Sequence, residues 1–164
     1  MDLDGFFPYR LAIASEAFSR NLSEVYGREF GLGREEWRLL FLLARAETLS
    51  STELARRTTL DKVQVSRASQ RLQDKGLITR TVPDHDRRLR EYACTDAGRA
   101  VFEAALPRVR ERSEEMLHGL SAEERTALER GVAALLAALG IGPSGPTPEL
   151  FEKNASNDRA EHPR

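Results

Sequence analysis

The sequence predicts a mainly α fold with one small β-hairpin, and three observations carry that reading. Apolar residues recur at helical spacing through most of the chain. Serine and aspartate caps punctuate it at Ser50, Asp61, Asp96 and Ser121. A single stretch, Leu77 to Cys94, reads as two short strands around a turn. The 164 residues fit one domain with an appended arm or tail, and 40% hydrophobic residues are enough for a core. No apolar run approaches the ~18 residues of a membrane span.

Taken in order, Pro8 opens a helix to about Tyr26, with Leu11, Ala14, Ala17, Phe18 and Leu22 on one face. Gly31-Leu32-Gly33 breaks the chain, and Arg34 to Ala46 forms a second helix with Trp37, Leu40, Phe41 and Ala44 inward. Ser50-Ser51-Thr52-Glu53 matches a capping box and starts a helix of about two turns. Thr58-Thr59-Leu60 breaks it, and Asp61 caps the next helix, roughly Lys62 to Lys75. Gly76 ends that helix as a C′ glycine. Strands Leu77–Val82 and Arg90–Cys94 flank a turn rich in proline, aspartate and arginine. Asp96 is expected to cap a helix from about Ala97 to His118, kinked at Pro107. Ser121-Ala122-Glu123-Glu124 is a second capping-box match, opening a helix through Leu139. From Gly140 onward the composition is that of a mobile tail. No internal repeat is visible.

Residues 50–95 therefore combine a short capped helix, a tight turn, a longer amphipathic helix and a hairpin with an arginine-rich tip. That order is a winged helix-turn-helix, flanked here by N- and C-terminal helices suited to dimerisation. On the longer helix Val65, Ala68, Ser69 and Leu72 form a narrow packing stripe. Lys62, Gln64, Ser66, Arg67, Gln70 and Arg71 lie away from it and carry groups that bond phosphate oxygens or base edges, glutamine suiting adenine and arginine guanine. An ordinary solvated helix face is the alternative. At the hairpin tip Arg87 and Arg88 can enter a minor groove, with Asp86 orienting Arg88 through a charge-assisted hydrogen bond. A charge-balanced exposed hairpin is the alternative there.

The ordered motifs S-x-x-E-L-A from Ser50, L-D-K-x-x-V-S-R-A from Leu60, K-G-L-I-x-R from Lys75, D-x-D-R-R from Asp84 and C-T-D-A-G-R-A from Cys94 resemble the multiple antibiotic resistance regulator (MarR) family. The flanking helices match it only in length and apolar pattern. The resemblance implies a dimeric bacterial transcription factor, often a repressor, whose DNA affinity changes when a small ligand binds. Carried over by position, Gln64, Ser66 and Arg67 match the groove-facing part of the recognition helix, and Asp86 and Arg88 the wing aspartate and minor-groove arginine. It further implies a ligand crevice between the dimerisation helices and the DNA-binding lobe, near the second helix. LDKVQVSRA is most similar to members that control aromatic-acid catabolism.

The organisation expected is an arm and dimerisation helix over 1–33, a DNA-binding lobe over 34–95, dimerisation helices over 96–141 and a tail over 142–164. Charge distribution fits this division. The net charge is −1, but residues 50–95 hold ten Lys/Arg and six Asp/Glu, hence +4, against −5 from 15 and 20 elsewhere. A basic module on an acidic body gives an oriented electrostatic footprint. Val132, Leu135, Leu136 and Leu139, with Phe6 and Phe7, need cover that a second copy would supply; a monomer burying them internally is the alternative.

Eight of the eleven aromatics fall in the first 41 residues, interleaved with Arg10, Arg20 and Arg38. Trp37, Phe41, Arg38 and Arg10 are accordingly candidate effector contacts, suited to an aromatic carboxylate or its coenzyme A thioester. The plainer reading assigns these aromatics to a core. No catalytic constellation, metal spacing or cofactor fingerprint occurs, so an enzyme, a cofactor and a metal are not expected. The single cysteine, Cys94, suits a reducing compartment, and the start MDLDGFFPYR lacks a secretion pattern, so a cytoplasmic location is expected and Asn21-Leu22-Ser23 and Asn154-Ala155-Ser156 are chance sequons. A redox role for Cys94 and a winged-helix module for protein contact are the other readings. The peroxide-sensing relatives that the resemblance brings in carry their reactive cysteine near the N-terminal helix, and this chain has none there.

Overall fold

The computed structural model describes residues 5–82, 90–139 and 141. Among them the order is α1 (Phe7–Phe30), α2 (Arg34–Leu43), β1 (Leu49–Ser50), α3 (Ser51–Thr58), α4 (Lys62–Asp74), β2 (Ile78–Thr81), β3 (Glu91–Cys94), α5 (Asp96–Leu117) and α6 (Ala122–Ala138). The strands form one antiparallel sheet in the order β1-β3-β2. Ile78 faces Cys94 and Thr81 faces Glu91 across the hairpin, while Leu49 pairs with Tyr92 at the other edge. Two compact units result, residues 1–125 and 126–164.

In the first unit α2, α3, α4 and the sheet close over Leu39, Leu40, Leu43, Leu54, Val65, Leu72, Ile78 and Tyr92, each at most 2% exposed. Capping chemistry sets the boundaries. The Ser50 hydroxyl accepts the Glu53 N–H at 3.2 Å while the Glu53 carboxylate accepts the Ser50 N–H at 3.0 Å. The same reciprocal pair joins Ser121 and Glu124, at 2.8 and 3.2 Å. After α4, Gly76 adopts φ +70°, so that its N–H reaches the Gln73 carbonyl and the Leu77 N–H the Leu72 carbonyl. That is the Schellman arrangement, which a Cβ would strain. Gly98 is required for a different reason: a Cβ there would lie 2.0 Å from the Leu77 carbonyl oxygen. The start of α5 therefore rests directly on the end of α4 and the start of β2.

Two expectations are revised, the cap of α5 and the end of α1, and two features are added. Thr95, not Asp96, caps α5, its hydroxyl accepting the Gly98 N–H at 3.0 Å. β1 was not legible, since a strand of two residues overlaps the cap of α3. α5 runs as one helix through Pro107. α1 extends to Phe30 and divides into two halves. Its C-terminal half lies against α5, tied by Arg108–Glu29 at 3.2 Å, and turns Leu22, Val25 and Tyr26 to the core. Its N-terminal half exposes Phe7, Tyr9, Leu11 and Ile13, and Ala14 and Ala17 are uncovered as well. In the second unit, α6 presents Leu128, Val132 and Leu136 at more than 40% exposure. The tail from 142 lies outside the described residues.

Candidate nucleic-acid interface and effector crevice

The residues on α4 divide by face as the spacing predicts. Val65, Ala68, Ser69 and Leu72 are buried, while Lys62, Gln64, Ser66, Arg67 and Gln70 are exposed. At its N-terminus Asp61 Oδ1 accepts the Gln64 N–H at 2.7 Å and Gln64 Oε1 accepts the Asp61 N–H at 3.0 Å. Gln64 is thus part of a capping box. Its amide oxygen is committed to the backbone and its NH₂ remains free to donate, so bidentate adenine reading would require this cap to open. Ser66 and Arg67 carry no such internal commitment in the contacts described, and Gln70 donates to Asp74 at 2.8 Å.

Arg71 is placed differently from its neighbours. Its Nε donates to Glu36 Oε1 at 3.3 Å, and a terminal nitrogen lies 3.6 Å from Glu35. Lys75 Nζ joins from the next turn, 3.0 Å from both Glu36 oxygens and 2.7 Å from the Gly31 carbonyl. The Glu36 side chain is only 3% exposed and also accepts the Gly33 N–H at 2.5 Å. A buried carboxylate is expensive unless paired and hydrogen-bonded. Here two cations and a backbone amide satisfy it, pinning the C-terminal end of α4 to the α1–α2 corner. Nothing in the sequence pattern marked Glu36, because an acidic residue in a first helical turn is ordinary.

α3, the helix that precedes the turn, carries Arg56 exposed and Arg57 at 3.9 Å from Glu53. Hydrogen bonds from the Ser50 backbone and hydroxyl hold the Glu53 carboxyl below its ordinary range. Thr59, in the turn, takes φ +58°, a left-handed conformation that a β-branched residue adopts at a cost. Asp86, Arg87 and Arg88 lie outside the described residues. β2 and β3, which flank them in sequence, are paired, and Val82 and Arg90 are exposed.

The candidate effector residues separate. Trp37 is 8% exposed, stacked on Tyr26 at 5.3 Å and on Phe102 at 5.7 Å, with Phe41 edge-on to Trp37 and Phe102. Trp37 is thereby buried and stacked on two of the protein's own rings, which favours the core reading for it. Phe41 is half-buried, with the Arg45 guanidinium 5.0 Å above its ring. Arg38 is half-exposed near the Tyr26 phenol, whose pKa is raised by burial against the pull of Arg34 and Arg38. Arg10 is remote: it precedes Tyr26 by sixteen residues on one helix, about 24 Å at ~1.5 Å per residue. Tyr26, Phe102 and Arg45 were missed as candidates, since the long-range approach of α5 to α2 leaves no local pattern.

Cys94 is half-buried, and burial pushes its thiol up. Less thiolate at neutral pH means a less reactive sulfur. Among the described residues there is no helix long and apolar enough to cross a membrane, and no cluster of metal-ligating side chains.

Comparison with known proteins agrees with this architecture. The family model described as MarR family matches residues 30–89. The chain is 30% identical over 113 residues to the uncharacterized HTH-type transcriptional regulator YdgJ of Bacillus subtilis, covering 66% of this chain and 69% of that protein. Its structure is similar to that of a MarR-family transcriptional regulator from Silicibacter pomeroyi, with TM-score 0.68 and 29% identity over 83% of this chain and 91% of that one. It is also similar to NadR in complex with 4-hydroxyphenylacetate, with TM-score 0.62 and 26% identity over 76% and 88% of the two chains. The exposed polar face of a capped recognition helix, the three-stranded sheet and these relatives lead to one assignment: the chain belongs to the MarR family of winged helix-turn-helix, DNA-binding transcription regulators.

Proposed function

We propose that the protein acts as a homodimeric repressor that binds a pseudo-palindromic operator and leaves it when a small aromatic acid, or the coenzyme A thioester of one, binds. The observation that carries the DNA half is the outward row Lys62, Ser66, Arg67 and Gln70, exposed on a helix whose opposite face is fully buried. Such a row presents base-reading and phosphate-binding groups where the N-terminal part of a recognition helix meets the major groove. Asp86, Arg87 and Arg88 are proposed to extend the contact into the flanking minor groove, Arg88 as the inserted side chain. Dimerisation is supported by the uncovered apolar side chains of the N-terminal half of α1 and, separately, of α6. A second copy would give two recognition helices at half-sites about one DNA turn apart.

For the effector, the supporting features are the cluster of aromatic rings around Trp37, the Arg45 guanidinium over Phe41, and the half-exposed Arg38 on the same helix as Trp37. NadR, similar in fold and sequence, is described in complex with a hydroxylated aryl acetate. Trp37 would report such a ligand without touching it, being the only tryptophan and stacked within the cluster. A ligand shifts the equilibrium only by binding the DNA-incompetent arrangement more tightly.

The test combines two measurements. Binding to promoter DNA beside the protein's own gene should weaken steeply with salt, because each phosphate contact releases counterions. Phenolic acids and their thioesters should then be screened for release of that DNA, with tryptophan fluorescence as the binding signal. Release by an oxidant through Cys94, with no aromatic acid bound, would replace the ligand reading by a redox one. Absence of any salt-dependent DNA binding would favour a protein partner for the basic face.

A further inference from the structure

The outward face of α4 contains one side chain that neither the core nor the helix accounts for. Val63 is 57% exposed, in the first turn, between the exposed Lys62 and Gln64. It shares a face with Ser66, Arg67 and Gln70, three, four and seven residues on, all of them exposed. The buried stripe of the same helix begins only at Val65. A β-branched residue is a modest helix former, so Val63 does not serve the helix either. Isolated surface valines are common, but this one stands in the row of side chains proposed above to meet base edges.

The major groove offers one apolar group, the C5-methyl of thymine. We propose that Val63 is a specificity-determining residue that packs on a thymine methyl, selecting a T·A pair at one position of each half-site. This rests on the proposed entry of α4 into the major groove. The chemistry is complementary to that of its neighbours. Arg67 and Ser66 satisfy hydrogen-bonding edges, whereas Val63 would remove its own exposed methyls and the thymine methyl from water together. The free protein leaves those methyls in solvent, so the gain arises only on DNA.

Operator duplexes are first selected with the wild-type chain from a random pool. Each thymine is then replaced singly by deoxyuridine, which deletes the methyl and preserves every hydrogen-bonding group. Wild type should lose about fourfold in affinity at one thymine per half-site, the value of one buried methyl-sized group. Val63→Ala, with an unchanged unfolding midpoint, should show no loss at that thymine while responding as wild type elsewhere. Wild-type indifference to every deoxyuridine, or the same loss in Val63→Ala, would overturn the inference. Arg67→Ala separates the two levels of failure. If it loses operator affinity while the deoxyuridine profile is flat, Val63 alone is misassigned; if it too binds as wild type, α4 is not the reading helix.

Discussion

The two ends of α4 are built on opposite terms. At its start, Lys62, Val63, Ser66 and Arg67 are exposed, and the Asp61–Gln64 capping box is the internal polar anchorage. At its end, Arg71 and Lys75 close on the buried Glu36 carboxylate, and Gly76 locks the chain into the hairpin. One helix thus has a free reading end and a fixed end. The difference teaches that similar side chains on one helix do dissimilar work: Arg67 and Arg71 are one turn apart, yet one is free and the other is held.

The largest expected effect on stability comes from breaking the fixed end. Glu36→Ala removes the hub, but Arg71 keeps Glu35 at 3.6 Å, Lys75 keeps the Gly31 carbonyl, and both are partly exposed, at 47% and 38%, so water can solvate them. The loss of stability is therefore expected below the usual cost of breaking a buried pair, about 2 kcal/mol, read by urea denaturation. Arg71→Ala should follow in the same direction, with a smaller loss. Truncating the free end should leave stability alone: Arg67→Ala is expected to cost about 1–3 kcal/mol in operator binding with an unchanged urea midpoint. Equal stability losses for Arg67→Ala and Arg71→Ala would erase the distinction between the ends.

A smaller change addresses the cap between the two functions. Asp61→Ala should destabilise by about 1 kcal/mol through loss of the N-cap. The backbone N–H at position 61 survives the change, so the Gln64 amide oxygen keeps its partner and adenine preference at the Gln64 position should stay as in wild type. In the turn before α4, Thr59→Gly relieves a left-handed threonine while adding chain entropy to the unfolded state, for a net stabilisation of about 0.5 kcal/mol in the same denaturation assay.

The smallest effect is on pH. Glu53 titrates below its ordinary value because the Ser50 N–H and hydroxyl donate to it. A depressed carboxylate contributes stability that is fully present above its unfolded pKa and lost as pH falls through the folded one. Acidification below the ordinary carboxylate range should therefore loosen the start of α3, an effect that Ser50→Ala reduces in an acid-unfolding series.

These pairs also show what a sequence makes legible. Ser50–Glu53, Ser121–Glu124 and Gly76 were readable because caps and C′ glycines act within a few residues of themselves. The buried face of α4 was readable from its period. Glu36 was not, since its partners lie 35 and 39 residues away. The Trp37 stack was half-readable: its aromatics are dense in the sequence, but Phe102 arrives from α5. Arg10 was grouped with Trp37 by chain proximity, and a long rigid helix carries it away from that cluster.

The central claim, that the outer N-terminal face of α4 reads base edges, is tested most directly by Arg67→Ala on two duplexes. Affinity for a selected operator and for an unrelated duplex of equal length should be measured at two salt concentrations. The account predicts a loss confined largely to the operator, about tenfold or more, with the salt slope on unrelated DNA nearly unchanged. An equal fall on both duplexes would make Arg67 a phosphate contact and contradict the claim.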